Sequence, residues 1–161
     1  MQTNIGLSET SRKAVSEQLA KLLADEFILY TKTRNAHWNI EGPDFHTAHL
    51  FFESQYQLLD EIVDNVAERI RKLGHYAPAT LTQFLQLTHL TEKLDGGNDS
   101  PSYMRELLLD HESIIKFLRA NIAPSSDKFH DDASGDYFTQ LLAAHEEMAW
   151  KLRSHFGRTA V

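Results

Sequence analysis

Five side chains able to bind a metal ion are concentrated between residues 37 and 68. His49 and Glu53 are four residues apart, as are Asp64 and Glu68, and His37 ends the apolar-periodic segment before them. Imidazoles and carboxylates at this spacing share one face of a helix and can hold a metal ion between them. The same spacing is typical of the solvated polar face of a long helix, so the pattern alone leaves both interpretations open.

The spacing excludes a single metal site within one chain. Glu53 and Asp64 are eleven residues apart, which gives a net rotation of about 20° but an axial distance of about 16 Å. If two antiparallel copies of the helix cross at a two-fold axis, Glu53 can face Asp64 of the partner subunit. The same register places His49 opposite Glu68 of the partner subunit, with Leu58 and Leu59 beside the axis. One symmetric contact then builds two identical sites.

The composition limits the chemistry of such a site. The chain has 161 residues, of which 42% are hydrophobic and 24% charged, and its formal net charge is −7. This length fits one domain with a real core, so we expect residues 1–161 to form a single domain. Because cysteine is absent, any metal must be bound by nitrogen and oxygen ligands.

Charge and hydropathy also restrict the partners and the location. A negative net charge argues against a general nucleic-acid binder, which usually carries a basic patch or arm. No apolar run reaches membrane-spanning length, and residues 1–13 lack a hydrophobic signal core. We therefore expect a soluble, cytoplasmic protein without membrane contact.

Apolar periodicity predicts the helices that position the five side chains. The expected long helices begin near residues 8–10, 44, 100 and 131–132, and end near residues 36–37, 73, 124 and 157. A short helix of about two turns is expected at 81–87, inside the long connection between the second and third long helices. These assignments predict an all-α fold, a ferritin-like four-helix bundle with a short extra helix in the crossover between helices 2 and 3.

Local signals predict the ends of these helices. Ser100 is the expected N-cap of the third long helix, with Pro101 in its first turn. Asp44 is the expected N-cap of the second helix, and Gly74 the glycine that terminates it. Thr80 and Gln83 form a capping-box pattern before the short helix.

A metal site inside one bundle is not expected. Ferritin-like bundles with an intrachain di-iron site use Glu-x-x-His motifs, and no such motif occurs in the chain. If the chain binds a metal ion, a site shared between two chains is therefore favoured over a site inside one bundle.

The residues around the five ligands resemble the Dps family, the DNA-binding proteins from starved cells, also called miniferritins. The segments HWNIEGPDFHTAHLFFE (37–53) and DNVAERIRKLG (64–74) carry the resemblance, which extends across the chain. It implies a four-helix bundle, a hollow shell of twelve subunits built from two-fold dimers, and ferroxidase sites at the two-fold interfaces.

The resemblance assigns roles to individual residues. It implies His37, His49 and Glu53 as iron ligands from one subunit, and Asp64 and Glu68 as ligands from its two-fold mate. Each site would have two iron positions, with zinc as an alternative occupant. Many family members have Asp where this chain has Glu53, and the longer side chain keeps the oxygen ligand but changes the metal spacing. Trp38 is expected beside the site.

The activity that the resemblance implies is oxidation of Fe²⁺ by hydrogen peroxide, with storage of ferric mineral and protection against oxidative stress. Asp131, Asp132 and Asp136 resemble the acidic lining of the family's three-fold pores, although Asp is also common at helix N-termini for capping. His75, just after the second helix, and His145, beside Glu146 and Glu147, could bind a second metal ion, but surface or capping roles are favoured. Five further histidines have no ligand spacing: His46, His89, His111, His130 and His155.

DNA binding is expected to be weak or absent. Family members that bind DNA usually use a Lys-rich terminal extension, whereas only Arg12 and Lys13 precede or begin the first helix here. Near the other end, Lys151, Arg153 and Arg158 lie on or just after a helix. Neutralising phosphates requires several cations together. The alternative function is a structural, nucleoid-associated shell with little iron oxidation.

Overall fold

The computed structural model describes residues 3–157, which are helical apart from short connections. The elements are α1 (Glu9–Asn39), α2 (Phe45–Lys72), α3 (Leu81–Leu87), α4 (Ser100–Asp127), α5 (Asp132–Arg153) and a 3-10 turn (Ser154–Phe156). No β-strand occurs between residues 3 and 157. The predicted all-α bundle with a short helix in its crossover is confirmed.

Packing pairs α1 with α2 and α4 with α5, and α1 also contacts α4 and α3. The core between the helices is formed by fully buried aliphatic and aromatic side chains such as Leu22, Phe52, Leu107, Ile114 and Phe138. Burial of such side chains supplies most of the stability of amphipathic helices. None of the helices between residues 3 and 157 is long and apolar enough to cross a bilayer.

The end of α2 is closed by a Schellman motif around Gly74. Its φ is +89°, the left-handed conformation that glycine adopts without a Cβ penalty. The N–H of Gly74 donates to the carbonyl of Arg71, and the N–H of His75 donates to that of Ile70. A Cβ at Gly74 would also lie 2.8 Å from Nη1 of Arg12, so the Arg12 side chain would have to shift to admit a larger residue.

Two of the predicted N-caps differ in detail. The N-cap of α4 is Asp99 and not Ser100, because the Asp99 carboxylate accepts a hydrogen bond from the Ser102 N–H at 3.0 Å. That bond lowers the pKa of Asp99. Asp44 does occupy the N-cap position of α2 but makes no side-chain cap. Its carboxylate instead accepts a hydrogen bond from the Ser100 hydroxyl, which ties the start of α2 to the start of α4.

The predicted end of the third long helix at Pro124 is wrong, since α4 continues to Asp127. Proline removes one N–H donor and therefore one helical hydrogen bond, here to the carbonyl of Ala120. Ala120 is exposed, so water can take the place of the missing donor. The Pro124 carbonyl still accepts a hydrogen bond from the Lys128 N–H.

The crossover helix α3 has the predicted bounds and the predicted capping box of Thr80 and Gln83. It is held against α1 by Phe84, whose ring stacks on Phe27 with centroids 4.5 Å apart. Just after α3, the buried carboxylate of Asp25 accepts hydrogen bonds from the Thr88 hydroxyl and the His89 N–H. The crossover is therefore anchored to α1.

Candidate metal centre

His37 and His49 are brought together where α1 and α2 approach one another. Their imidazole rings stack with centroids 3.7 Å apart. Nδ1 of His37 lies 2.9 Å from the backbone oxygen of His49, and Nδ1 of His49 lies 2.8 Å from the backbone oxygen of His37. Each histidine therefore orients the other through a reciprocal pair of hydrogen bonds.

These bonds determine the tautomer of both rings. A carbonyl oxygen can only accept, so each Nδ1 must carry the proton and donate it. In a neutral imidazole the lone pair is then on Nε2, which is the form that binds a metal ion. When neutral, each imidazole therefore carries its lone pair on Nε2, and the two backbone carbonyls set the ring orientations.

Glu53 lies one turn after His49 on α2 and is partly buried. Its Oε1 is 3.4 Å from the hydroxyl of Tyr56, and the Tyr56 ring packs edge-on against His37 with centroids 5.2 Å apart. The guanidinium of Arg34 lies 4.5 Å from the Tyr56 ring centroid. Tyr56 and Arg34, which the sequence interpretation did not single out, therefore support two of the expected ligands.

Asp64 and Glu68 lie on the second half of α2, and both are exposed. Asp64 lines a groove of about 600 Å³ between α1, α2 and the start of α3. Glu68 forms an ion pair with Lys72 at 3.2 Å, so the acidic face is not free of cations. Because both partners are more than half exposed, that pair is weak and easily exchanged for another cation.

The five predicted ligands are not all brought together within one chain. Among residues 3–157, no three His, Asp or Glu side chains converge on a point where they could hold a metal ion. His37, His49 and Glu53 cluster near the start of α2, whereas Asp64 and Glu68 lie about three to four turns after Glu53. Within one chain the predicted ligands therefore form two separate groups along α2, and a shared site stays a prediction.

Comparison with known proteins identifies the family. The model of the ferritin-like domain matches residues 16–160. The chain is 31% identical over 141 residues to a DNA protection during starvation protein of Helicobacter pylori, covering 88% of this chain and 97% of that protein. It is 39% identical over 151 residues to an uncharacterized low temperature-induced protein of Nostoc sp., covering 94% and 84% of the two chains.

The chain belongs to the Dps family of ferritin-like proteins. Its structure is similar to DpsC from Streptomyces coelicolor, with a TM-score of 0.92, 28% identity and coverage of 100% and 94% of the two chains. It is also similar to a Dps protein of Vibrio cholerae described as a member of a broad superfamily of ferritin-like diiron-carboxylate proteins. That match has a TM-score of 0.89 and 26% identity, and covers 97% and 98% of the two chains.

In this Dps family member, Trp38 is 65% exposed at the end of α1, directly after His37. Its ring lies 5.2 Å from the guanidinium of Arg34, which also contacts Tyr56. Trp38 is therefore linked to the His37 region through Arg34. Within a single subunit most of its surface is left free.

The three aspartates at the start of α5 have different environments. Asp131 is 3% exposed, caps α5 through the Ser134 N–H, and forms an ion pair with Arg69 at 3.1 Å. Asp132 and Asp136 are exposed. The capping interpretation therefore applies to Asp131, and only Asp132 and Asp136 have carboxylates free to line a surface opening.

The interpretation of His145 as a surface or capping residue is wrong. His145 is 0% exposed and His111, to which no role was assigned, is 1% exposed. Both lie in the bundle core with Glu26, which is also 0% exposed. The sequence did contain a signal, because His145 is in helical register with the apolar residues Leu141, Met148 and Leu152.

Proposed function

We propose that this chain is a ferroxidase that oxidises Fe²⁺ with hydrogen peroxide at sites shared across a two-fold dimer contact. The ferric product is stored as mineral in a hollow shell of twelve subunits. The reaction therefore removes both Fe²⁺ and hydrogen peroxide, which together cause oxidative damage. The reciprocal hydrogen bonds between His37 and His49 carry this proposal, since they leave two adjacent Nε2 lone pairs ready for a metal ion. The diiron-carboxylate superfamily named for the Vibrio cholerae relative agrees with it.

The exposed features of α2 support the shared site. Asp64 and Glu68 are exposed at a position where they can reach the half-site of a second subunit. Near the proposed axis, Leu58 is 43% exposed, whereas Leu59 is 0% exposed in the subunit's own core. Of the two leucines expected beside the axis, only Leu58 is therefore available to contact the partner.

The donor set suits iron as a substrate. Neutral imidazole and carboxylate oxygen are suitable ligands for Fe²⁺, and open coordination positions can admit an oxidant. One hydrogen peroxide takes one electron from each of two Fe²⁺ ions while its O–O bond breaks. With two water molecules, the products are two FeO(OH) units and four protons. Delivery of both electrons at one site avoids the one-electron step that releases hydroxyl radical.

The stoichiometry and the ligands can be tested together. Purified protein is expected to consume Fe²⁺ and peroxide at a ratio near 2:1, measured by iron absorbance and residual peroxide. The double variant His37→Ala/Asp64→Ala removes one ligand from each half-site, so its rate is expected to fall by about 10²-fold or more, the scale on which losing metal-site ligands acts.

A matched double variant controls for general effects on the shell. Asp95→Ala/His155→Ala makes the same two changes at exposed positions outside α2, and should keep the wild-type rate. If His37→Ala/Asp64→Ala oxidises iron as fast as this control, the ligand assignment is incorrect.

We also propose that DNA binding is weak at physiological salt. The cations that the sequence places near the chain ends are largely engaged: Arg12 is 4% exposed and donates to the carbonyl of Leu73. Lys151 and Arg153 form ion pairs with Glu147 and Glu112. Arg158 lies outside the described residues.

A mobility-shift assay at 150 mM salt tests this second proposal. We expect no stable complex with a 200-base-pair duplex, because too few cations are available to release counterions from phosphate. A tight complex that survives this salt concentration would favour the alternative of a nucleoid-associated shell.

A further inference from the structure

Three buried polar side chains form a row through the centre of the bundle. Glu26 comes from α1, His111 from α4 and His145 from α5, and each is at most 1% exposed. Oε1 of Glu26 lies 2.8 Å from Nε2 of His145. Nδ1 of His145, on the other side of its ring, lies 3.0 Å from Nδ1 of His111. We refer to these three residues as the core row.

The geometry of the core row does not suit a metal ion. Glu26 and His111 contact opposite edges of the His145 ring, so the donor atoms lie along a line and do not surround a point. No metal-holding group of three such side chains is found among residues 3–157. The row must therefore be explained by the protons that it holds.

The contacts determine where those protons lie. A carboxylate oxygen accepts, so Nε2 of His145 donates to Glu26. Two nitrogen atoms 3.0 Å apart can form a hydrogen bond only if one of them carries a proton and the other does not. When His145 carries both N–H protons, its positive charge balances the Glu26 carboxylate and His111 remains neutral. Burial opposes an unbalanced charge here.

The other charged and titratable groups around the core row do not change this balance. Arg69 on α2 is paired with Asp131, and Asp110 beside His111 is paired with Lys32 from α1. The buried hydroxyl of Tyr137 and Oε2 of Glu26 have no hydrogen-bond partner among the described residues. Burial, followed by the negative charge of Glu26, raises the pKa of Tyr137, so this hydroxyl stays neutral.

We propose that the core row is a pH-dependent lock that joins α1 to α4 and α5. When His145 carries both N–H protons, the row holds one balanced charge pair and one neutral imidazole. A further proton on His111 would place a second positive charge 3 Å from the first, inside the core. The lock therefore accepts no further proton while the bundle is folded, and acid favours opening of the bundle.

The direction of the pH dependence follows from His111. Burial, followed by the charge of His145, lowers the pKa of His111 well below 6.5 in the folded chain. The unfolded chain binds this proton below about pH 6.5 and the folded chain does not, so acid shifts the unfolding equilibrium by up to about tenfold per pH unit. The contribution of a neutral His111 to the free energy of unfolding is therefore complete well above pH 6.5 and is lost as the pH falls below it.

The test compares urea unfolding of the full chain at pH 7.5, 6.5 and 5.5. His111→Asn keeps a donor and acceptor near the Nδ1 position but cannot take up a proton in this range. We expect the unfolding constant of the wild type to rise up to about tenfold more between pH 6.5 and 5.5 than that of His111→Asn. The control His130→Asn, at an exposed position with φ 56° that Asn tolerates, should follow the wild type. Equal pH slopes for wild type and His111→Asn would overturn the proposal.

A measurement on the wild type keeps the proposal testable if His111→Asn does not fold. The exchange of the histidine C2 hydrogen with deuterium, followed by mass spectrometry across pH, reports the protonation of each histidine separately. His111 should show no transition between pH 5.5 and 7.5, because burial lowers its pKa well below 6.5. A His111 transition between pH 5.5 and 7.5 would show that the core row takes up a proton freely, which contradicts a lock.

Discussion

Two inactive variants are expected to restore each other's activity when their subunits are mixed. Glu53→Ala removes a ligand from one half-site and Asp64→Ala removes a ligand from the other, so each variant alone should oxidise Fe²⁺ at near-background rates. In a dimer that contains one subunit of each kind, one of the two shared sites has lost both ligands and the other is intact. Random 1:1 pairing should therefore restore about a quarter of the wild-type rate.

The distances along α2 make this recovery specific to a shared site. Glu53 and Asp64 lie about 16 Å apart on one helix at 1.5 Å per residue, too far to bind the same ion. The experiment denatures the two variants, refolds them together and measures peroxide-dependent iron oxidation, with mass spectrometry to verify mixed dimers. Each variant refolded alone serves as the control. If mixed dimers form but the rate stays at the level of the separate variants, the shared-site proposal fails.

The largest loss of stability is expected when the Lys32 cation is removed. Lys32 is 3% exposed, and its Nζ lies 2.5 Å from the carboxylate of Asp110. Lys32→Met leaves Asp110 buried without its cation, which typically costs about 3–5 kcal/mol. Burial already raises the pKa of Asp110, and the hydrogen bond from Lys32 opposes that rise. We therefore expect Asp110 to be protonated in the variant at neutral pH, and the urea midpoint of unfolding to fall substantially.

Two further variants separate the charge effect from general disruption of the core. The double variant Lys32→Met/Asp110→Leu removes both charges and should recover most of the lost stability. Lys13→Met removes an exposed cation whose partner, Glu17, lies 3.9 Å away with both side chains about two-thirds exposed, so it should change stability by less than about 1 kcal/mol. All variants are compared at one protein concentration because assembly also stabilises the fold. A double variant no more stable than Lys32→Met would show that the loss is not electrostatic.

The helices of this chain follow closely from signals that act over three or four residues. Thr80 and Gln83 predicted the first residue of α3 because a capping box is complete within one turn. The start of α4 was shifted by one residue because Asp99 and Ser100 are both good caps, and only the direction of the Asp99 carboxylate decides between them. Pro124 was misread because its effect depends on whether the freed carbonyl is exposed.

Side-chain environments were less predictable than helix ends. Glu26, His111 and His145 have residue types that are usually exposed or paired, and the interpretation of His145 followed its type instead of its periodicity. Asp131 is of a type common both in pores and in caps. It caps α5 through the Ser134 N–H, and its pairing with Arg69, 62 residues away, keeps its carboxylate from lining an opening. In each case the deciding contact lies on another helix.

By itself, the sequence determined the five helices, the absence of a Glu-x-x-His motif, and the separation of His49 and Glu53 from Asp64 and Glu68 along α2. These properties depend on residue type and on a repeat along one helix, which can be counted from the sequence. The tertiary structure decided the tautomers of His37 and His49 and the existence of the core row. Both features depend on hydrogen bonds between residues that are 12, 34 and 119 positions apart in the chain. The donor and the acceptor of such a bond can be assigned only when the positions of both partners are known.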